Sequence, residues 1–194
     1  MGLLDILLGR SKPVAPDLDR LFALPSAAPA LEAGAGFTPT GLGAVCFATV
    51  QGSDSEQTHR EVQALLDADT ERTGPPVRLL PDRHGYSWLV SHRAPDRLPL
   101  LVDELHAVNS AMEVNGFGPQ LLCSLAWFED RRGRRLALVY LYKRGSFYPF
   151  APLPGAGQRR DDALELQVRA VLADDLPTEP DVGHWSPLWG APGL

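Results

Sequence analysis

The chain has 194 residues, 44% hydrophobic and 22% charged, with a formal net charge of −6. That length suits one folded domain, and that composition excludes a disordered or fibrous protein. No apolar run approaches the roughly 20 residues that span a bilayer, and no basic region precedes an apolar core and cleavage site at the N-terminus, so neither a spanning helix nor a secretory leader is expected.

In chain order, Met1–Arg10 opens with Leu3, Leu4, Ile6, Leu7 and Leu8 in one short segment, followed by Arg10 and Lys12. Two turns of helix are too short to stand alone. The segment therefore needs a cover: its own domain, another protein, or a membrane surface with the basic pair at the headgroups. Asp17–Leu24 reads as a short helix capped by Asp17 and ended by Pro25, followed by a Pro/Ala/Gly loop. Gly43–Val50 alternates as a strand. Ser53 to Glu56 form a capping box that opens a helix to about Ala68, with Val62, Leu65 and Leu66 on its buried side. Val77–Leu80 and Tyr86–His92 flank a turn at Pro81–Gly85 and predict a hairpin. Arg97–Val114 is the longest predicted helix, with Leu98, Leu101, Val102, Leu105, Val108 and Met112 along one side and Asn115–Gly116 as its stop.

Leu121–Phe128 and Arg135–Tyr142 are dense in strand formers and separated by a basic turn, so they predict a second hairpin, apolar on both faces and central to the sheet. Leu121, Cys123, Leu125 and Trp127 should share a face. Beyond it, Gly145, Pro149 and Pro152 interrupt an aromatic loop of Phe147, Tyr148 and Phe150. Asp162–Asp174 is the last predicted helix, capped by Asp161 or Asp162. Residues 177–194 hold too much proline for a helix and two tryptophans too apolar to leave in water, which predicts an extended arm wrapped on the domain. The whole implies an α+β domain over 17–176 with about five antiparallel or mixed strands, preceded by the apolar segment and linker of residues 1–16.

Cys46 and Cys123 are the two cysteines. Both lie in apolar runs without paired spacing, which points to buried free thiols in a reducing cytoplasm rather than a zinc site or disulfide framework. No nucleotide, zinc-protease or serine-hydrolase fingerprint occurs. No two of His59, His84, His92, His106 and His184 have the spacing of shared metal ligands, so neither metal nor cofactor is expected. A Cys123–His106 pair, or one with His92, is the single conceivable nucleophile and base.

Charge is uneven. Residues 161–194 hold seven acidic groups against Arg169 alone, which reads as a solvated acidic face unsuited to nucleic acid. Arg131, Arg132, Arg134 and Arg135, with Lys143 and Arg144 on the same hairpin, form the sharpest basic feature. They suit an acidic partner, an anionic lipid, or the chain's own acidic helix, and equally the plain task of keeping a hairpin tip soluble.

The blocks MGLLDILLGRSKP, LDRLFALPSA, GFTPTGLGAVCF, LHAVN, GFGPQLLCSLAWF, RRLALVYLYKRGSFYPFAP, ALELQVRAVLADDLP and WSPLWGAPGL together make the chain resemble the PspA-associated protein B family of actinobacteria and archaea. This resemblance implies an association with PspA, the peripheral membrane protein of the phage-shock envelope-stress response, and with HtpX-type membrane proteases. It implies no enzymatic activity and defines no functional residues. The expectation is a non-catalytic cytoplasmic adaptor whose contact surfaces are the N-terminal apolar residues, the basic hairpin and the aromatic loop. The alternatives are a peripheral membrane binder using the apolar segment and basic tip, and an undescribed Cys/His enzyme.

Overall fold

A computed structural model describes residues 16–48, 57, 59–64, 75–155 and 157–194. The N-terminal apolar segment, the capping box at Ser53–Glu56 and the predicted helix positions Leu65 and Leu66 lie outside the described residues.

A 3-10 turn, Leu18–Phe22, leads directly into α1, Ala23–Ala35, where the sequence pointed to a break and a loop. The prolines misled for a local reason. Pro25 sits in the first turn, where a missing N–H costs nothing, and the alanines that follow carry the helix past Pro29. Leu24, Ala27 and Leu31 form its buried stripe. Gly36 ends it in the left-handed region at φ 77°, its N–H donating to the Glu32 carbonyl at 2.9 Å.

Among the described residues, six strands form one antiparallel sheet in the order β2-β3-β1-β4-β5-β6. They are β1 Phe37–Ala48, β2 Arg78–Pro81, β3 Tyr86–His92, β4 Leu121–Asp130, β5 Arg135–Leu141 and β6 Ser146–Phe150. β1 starts well before the predicted Gly43 because a bulge absorbs the unpromising residues. Pro39 pairs with Phe128 and Gly43 with Ala126, leaving Thr40, Gly41 and Leu42 opposite Trp127. Gly41 has φ 80° and its carbonyl accepts from Arg93 N–H at 2.8 Å. A Cβ there would lie 2.0 Å from the Arg93 carbonyl oxygen, so the bend requires glycine.

Helices cover one face. α2, Leu98–Met112, buries all six predicted positions against the sheet, ends in a wider turn at Glu113–Phe117 and reverses at Gly116 with φ 88°. α3, Asp162–Val171, is capped by Asp161, whose Oδ1 accepts from Leu164 N–H at 3.0 Å. It packs on α1 so closely that a Cβ on Gly34 would meet Val171 Cγ1 at 2.7 Å. The residues 59–64 are helical and bury Val62.

The opposite face is covered by the C-terminal arm. Trp185 and Ala191 are buried there with Cys46, Trp88, Cys123, Leu125, Trp127, Val139, Tyr148 and Phe150, and Leu188 and Trp189 pack against them. Two layers over one sheet explain why the β4–β5 hairpin is apolar on both faces. Its predicted face assignment needs one change. A second bulge falls between Cys46, paired with Cys123, and Phe47, paired with Leu121, so Leu121 joins the helix-side core while Leu122 packs with Cys123 on the arm side.

Candidate functional site

The arm is fixed by its backbone as much as by its rings. Phe147 N–H donates to the Pro177 carbonyl at 2.8 Å and Glu179 N–H to the Phe147 carbonyl at 2.7 Å, so the arm runs parallel to β6 and covers that edge. Trp127 Nε1 donates to the Pro192 carbonyl at 2.7 Å at the far end. In between, Trp185 stacks on Tyr148 with centroids 6.1 Å apart, its Nε1 donates to the Glu179 carbonyl at 3.2 Å, and the Tyr148 hydroxyl donates to the Ser186 carbonyl at 2.9 Å.

Two carboxylates counted from the sequence as a wet acidic face are buried under these contacts. Glu165 takes a fork of two bonds from Arg160, at 2.9 and 2.7 Å, and a third from Ala151 N–H at 2.7 Å. Arg160 also donates to the Trp185 carbonyl, tying α3 to the arm. Glu179 accepts from the Ser146 hydroxyl at 2.6 Å and lies 3.1 Å from His184 Nδ1. Burial pushes the Glu179 carboxyl up, but the bonds from Ser146 and His184 and the charge of Arg144 outweigh it, so the net shift is downward.

Between arm and sheet lies a cavity of about 270 Å³ whose wall includes Cys46, Cys123, Trp88, Leu122, Tyr148 and Trp189. Asp82 stands at its rim, accepting from Trp88 Nε1 at 3.1 Å and from the N–H groups of His84 and Tyr86 at 2.7 and 3.0 Å. The Cys46 thiol is pushed well above its ordinary value, first by its hydrogen bond with the Cys123 thiol and then by burial. No signal in the sequence joined these two cysteines, which are far apart in the chain and neighbours only through the β1–β4 pairing.

The basic residues do not form one patch. The turn of Arg131, Arg132, Arg134 and Arg135 and the turn of Lys143 and Arg144 sit at opposite ends of β5, a separation of roughly 20 Å at the ordinary strand rise. Several are already engaged. Arg134 Nε donates to Asp130 Oδ2 at 2.8 Å, and its guanidinium lies over the Phe37 ring at 5.5 Å. Arg135 faces Glu129 at 3.8 Å and donates to the Gly193 carbonyl. Lys143 donates to the Pro119 carbonyl at 3.0 Å, and Arg144 meets His184 Nε2 at 2.8 Å. These bonds go to turns and the arm, not to α3 as one reading of the charges suggested.

Arg131 and Arg132 remain outward, with no ion pair among the described residues. Asp130 aims them by accepting from the N–H groups of Arg132 and Arg134 at 2.9 and 2.8 Å, and Gly133 closes the turn at φ 75°. A cleft of about 510 Å³ opens beside them, bounded by Glu32, Gly36 and Thr38.

The aromatic contact surface is corrected. Phe147, Tyr148 and Phe150 are at most 1% exposed and belong to β6, with Phe147 on the helix side and the other two under the arm. Strand alternation buries them whichever way they point. The Cys123–His106 pairing is also overturned: Cys123 faces the arm, while His106 lies on α2 across the sheet, 3.1 Å from Asp19 and against the Phe22 ring, tilted by 32°. His92 is exposed at the end of β3 beside Arg78. Among the described residues no cluster of His, Cys, Asp and Glu could hold a metal, and no helix is long and apolar enough to cross a membrane.

A family model described as PspA associated protein B matches residues 1–193. No curated protein and no solved structure matches the chain.

Proposed function

Because the chain belongs to the PspA-associated protein B family, we propose that it acts as a non-catalytic adaptor that binds a PspA-type protein in the phage-shock response. The match over residues 1–193 carries this reading. Residues exposed and unengaged at the hairpin tip, Arg131 and Arg132, supply its contact with an acidic segment of the partner. The N-terminal residues Leu3, Leu4, Ile6, Leu7 and Leu8 supply an apolar one. The site of action is the cytoplasmic side of the plasma membrane, where an HtpX-type protease is a second partner.

The test is co-purification of a tagged PspA-type protein with the wild-type chain and with the Arg131→Glu/Arg132→Glu double variant. Recovery should fall in the variant, and recovery of the wild type should weaken with added salt, since exposed charges act through screened fields. Failure of the wild type to co-purify would refute the adaptor reading, and equal recovery of both would remove the tip from the interface.

The run Leu3–Leu8 followed by Arg10 and Lys12 favours a second reading, direct binding to a membrane surface. Sedimentation with anionic vesicles that weakens with salt supports it; no sedimentation at low salt rules it out.

A further inference from the structure

We propose that Cys46 and Cys123 are a paired oxidation site, at which hydrogen peroxide admitted through the cavity under the C-terminal arm converts two thiols into one cross-strand disulfide.

The pairing geometry carries this inference. Cys46 and Cys123 are direct partners in the antiparallel β1–β4 register. Directly opposed residues in such a pair have Cα atoms about 4.5 or 5.5 Å apart, and either value lies within the range of about 4.4–6.8 Å that a disulfide spans. Both side chains project to the same face, since both belong to the arm-side cluster. The Cα spacing of the pair is therefore one that a disulfide spans. The bulge beside the pair adds a second observation. It turns Leu122 to the arm side next to Cys123, so the two thiols line a cavity of about 270 Å³ instead of being packed over. Bulges recur where a local side chain is re-aimed for use.

The reaction balances with one peroxide. One sulfur attacks the O–O bond, forming an S–O bond and releasing water; the second sulfur displaces that hydroxyl as a second water and forms the S–S bond. Both thiol protons leave in the two waters. The hydrogen bond with Cys123 and burial hold Cys46 as a thiol while the arm is seated, and thiols react more slowly than thiolates. Oxidation is accordingly slow in the resting protein, and it accelerates when Trp189, a half-buried part of the cavity wall, is truncated.

The chain contains only these two cysteines, so the readout is unambiguous. The purified full chain is treated with hydrogen peroxide, denatured, labelled with a maleimide and weighed intact. The expected product has lost two hydrogens, takes no label, and regains two labels after reduction. Cys46→Ser and Cys123→Ser should give no intramolecular product, and Trp189→Ala should oxidise several-fold faster than wild type. Two labelled thiols after exposure that oxidises a free-thiol control would overturn the proposal. Oxygen addition without a disulfide, or a Trp189→Ala rate no faster than wild type, would overturn it as well.

Discussion

Replacing Trp185 with alanine tests whether the C-terminal arm is a true second layer of the core. The side chain is 6% exposed, stacks on Tyr148, lies under the Arg169 guanidinium at 5.8 Å and donates to the Glu179 carbonyl. Truncating a buried Trp costs about 3–5 kcal/mol through lost transfer energy and the cavity left behind. At about 2–4 °C per kcal/mol for a domain of this size, the thermal midpoint should fall by roughly 6–20 °C. Trp189→Ala provides the internal control. That ring is only half-buried, meeting Phe150 edge-on at 5.2 Å, and its loss should cost about 1–2 kcal/mol, less than full burial of a large side chain. Trp185→Phe keeps the stack and loses one hydrogen bond, which should cost about 1 kcal/mol. Urea unfolding followed by far-UV circular dichroism measures all three. A Trp185→Ala loss no larger than that of Trp189→Ala would refute the two-layer account, because the arm would then contribute no core.

Gly41→Ala should destabilise by about 2 kcal/mol or more, since it combines a left-handed backbone with a clash on the Arg93 carbonyl, whereas Gly36→Ala meets nothing within 4 Å and should cost only the backbone penalty of about 1–2 kcal/mol; equal losses in thermal melts would contradict the bulge. The carboxyls of Glu179 and Asp130 are both shifted downward in the fold. For each, burial opposes the shift and hydrogen bonds outweigh it, so their stabilisation is present above the ordinary carboxylate pKa and is lost as pH falls through the lower folded value. Glu179→Gln should therefore flatten the acid side of a stability-versus-pH curve, and an unchanged acid limb would count against the Ser146 and His184 bonds. Arg131→Glu/Arg132→Glu should leave the urea midpoint unchanged within about 0.5 kcal/mol, because both side chains are exposed and unengaged. A larger loss would mean that the tip serves the fold.

Covering β6 with residues 177–179 has a further consequence. Edge strands invite pairing with other chains, and here the chain's own arm occupies the β6 edge. The other edge, β2, is four residues long and ends in Pro81, which has no N–H to offer a neighbouring strand.

Local patterns of apolar spacing, turn residues and composition determined α2, the β2–β3 and β4–β5 hairpins, a helix start capped by Asp161 or Asp162, and the need of residues 177–194 for an apolar surface, because each depends on neighbours in the chain. What prolines and glycines mean was not local. Pro25 and Pro29 lie inside α1, and Gly41 lies inside β1, because helix packing and a bulge accommodate them at those particular places. The contact residues divided in the same way. Exposure of Arg131 and Arg132 followed from a basic turn, but burial of Tyr148 and Phe150 needed a second layer that only the folded arm supplies, while Phe147 is buried on the helix side. Cys46 and Cys123 show the limit most sharply: their spacing in the chain carries no information, and pairing of β1 with β4 alone makes them neighbours.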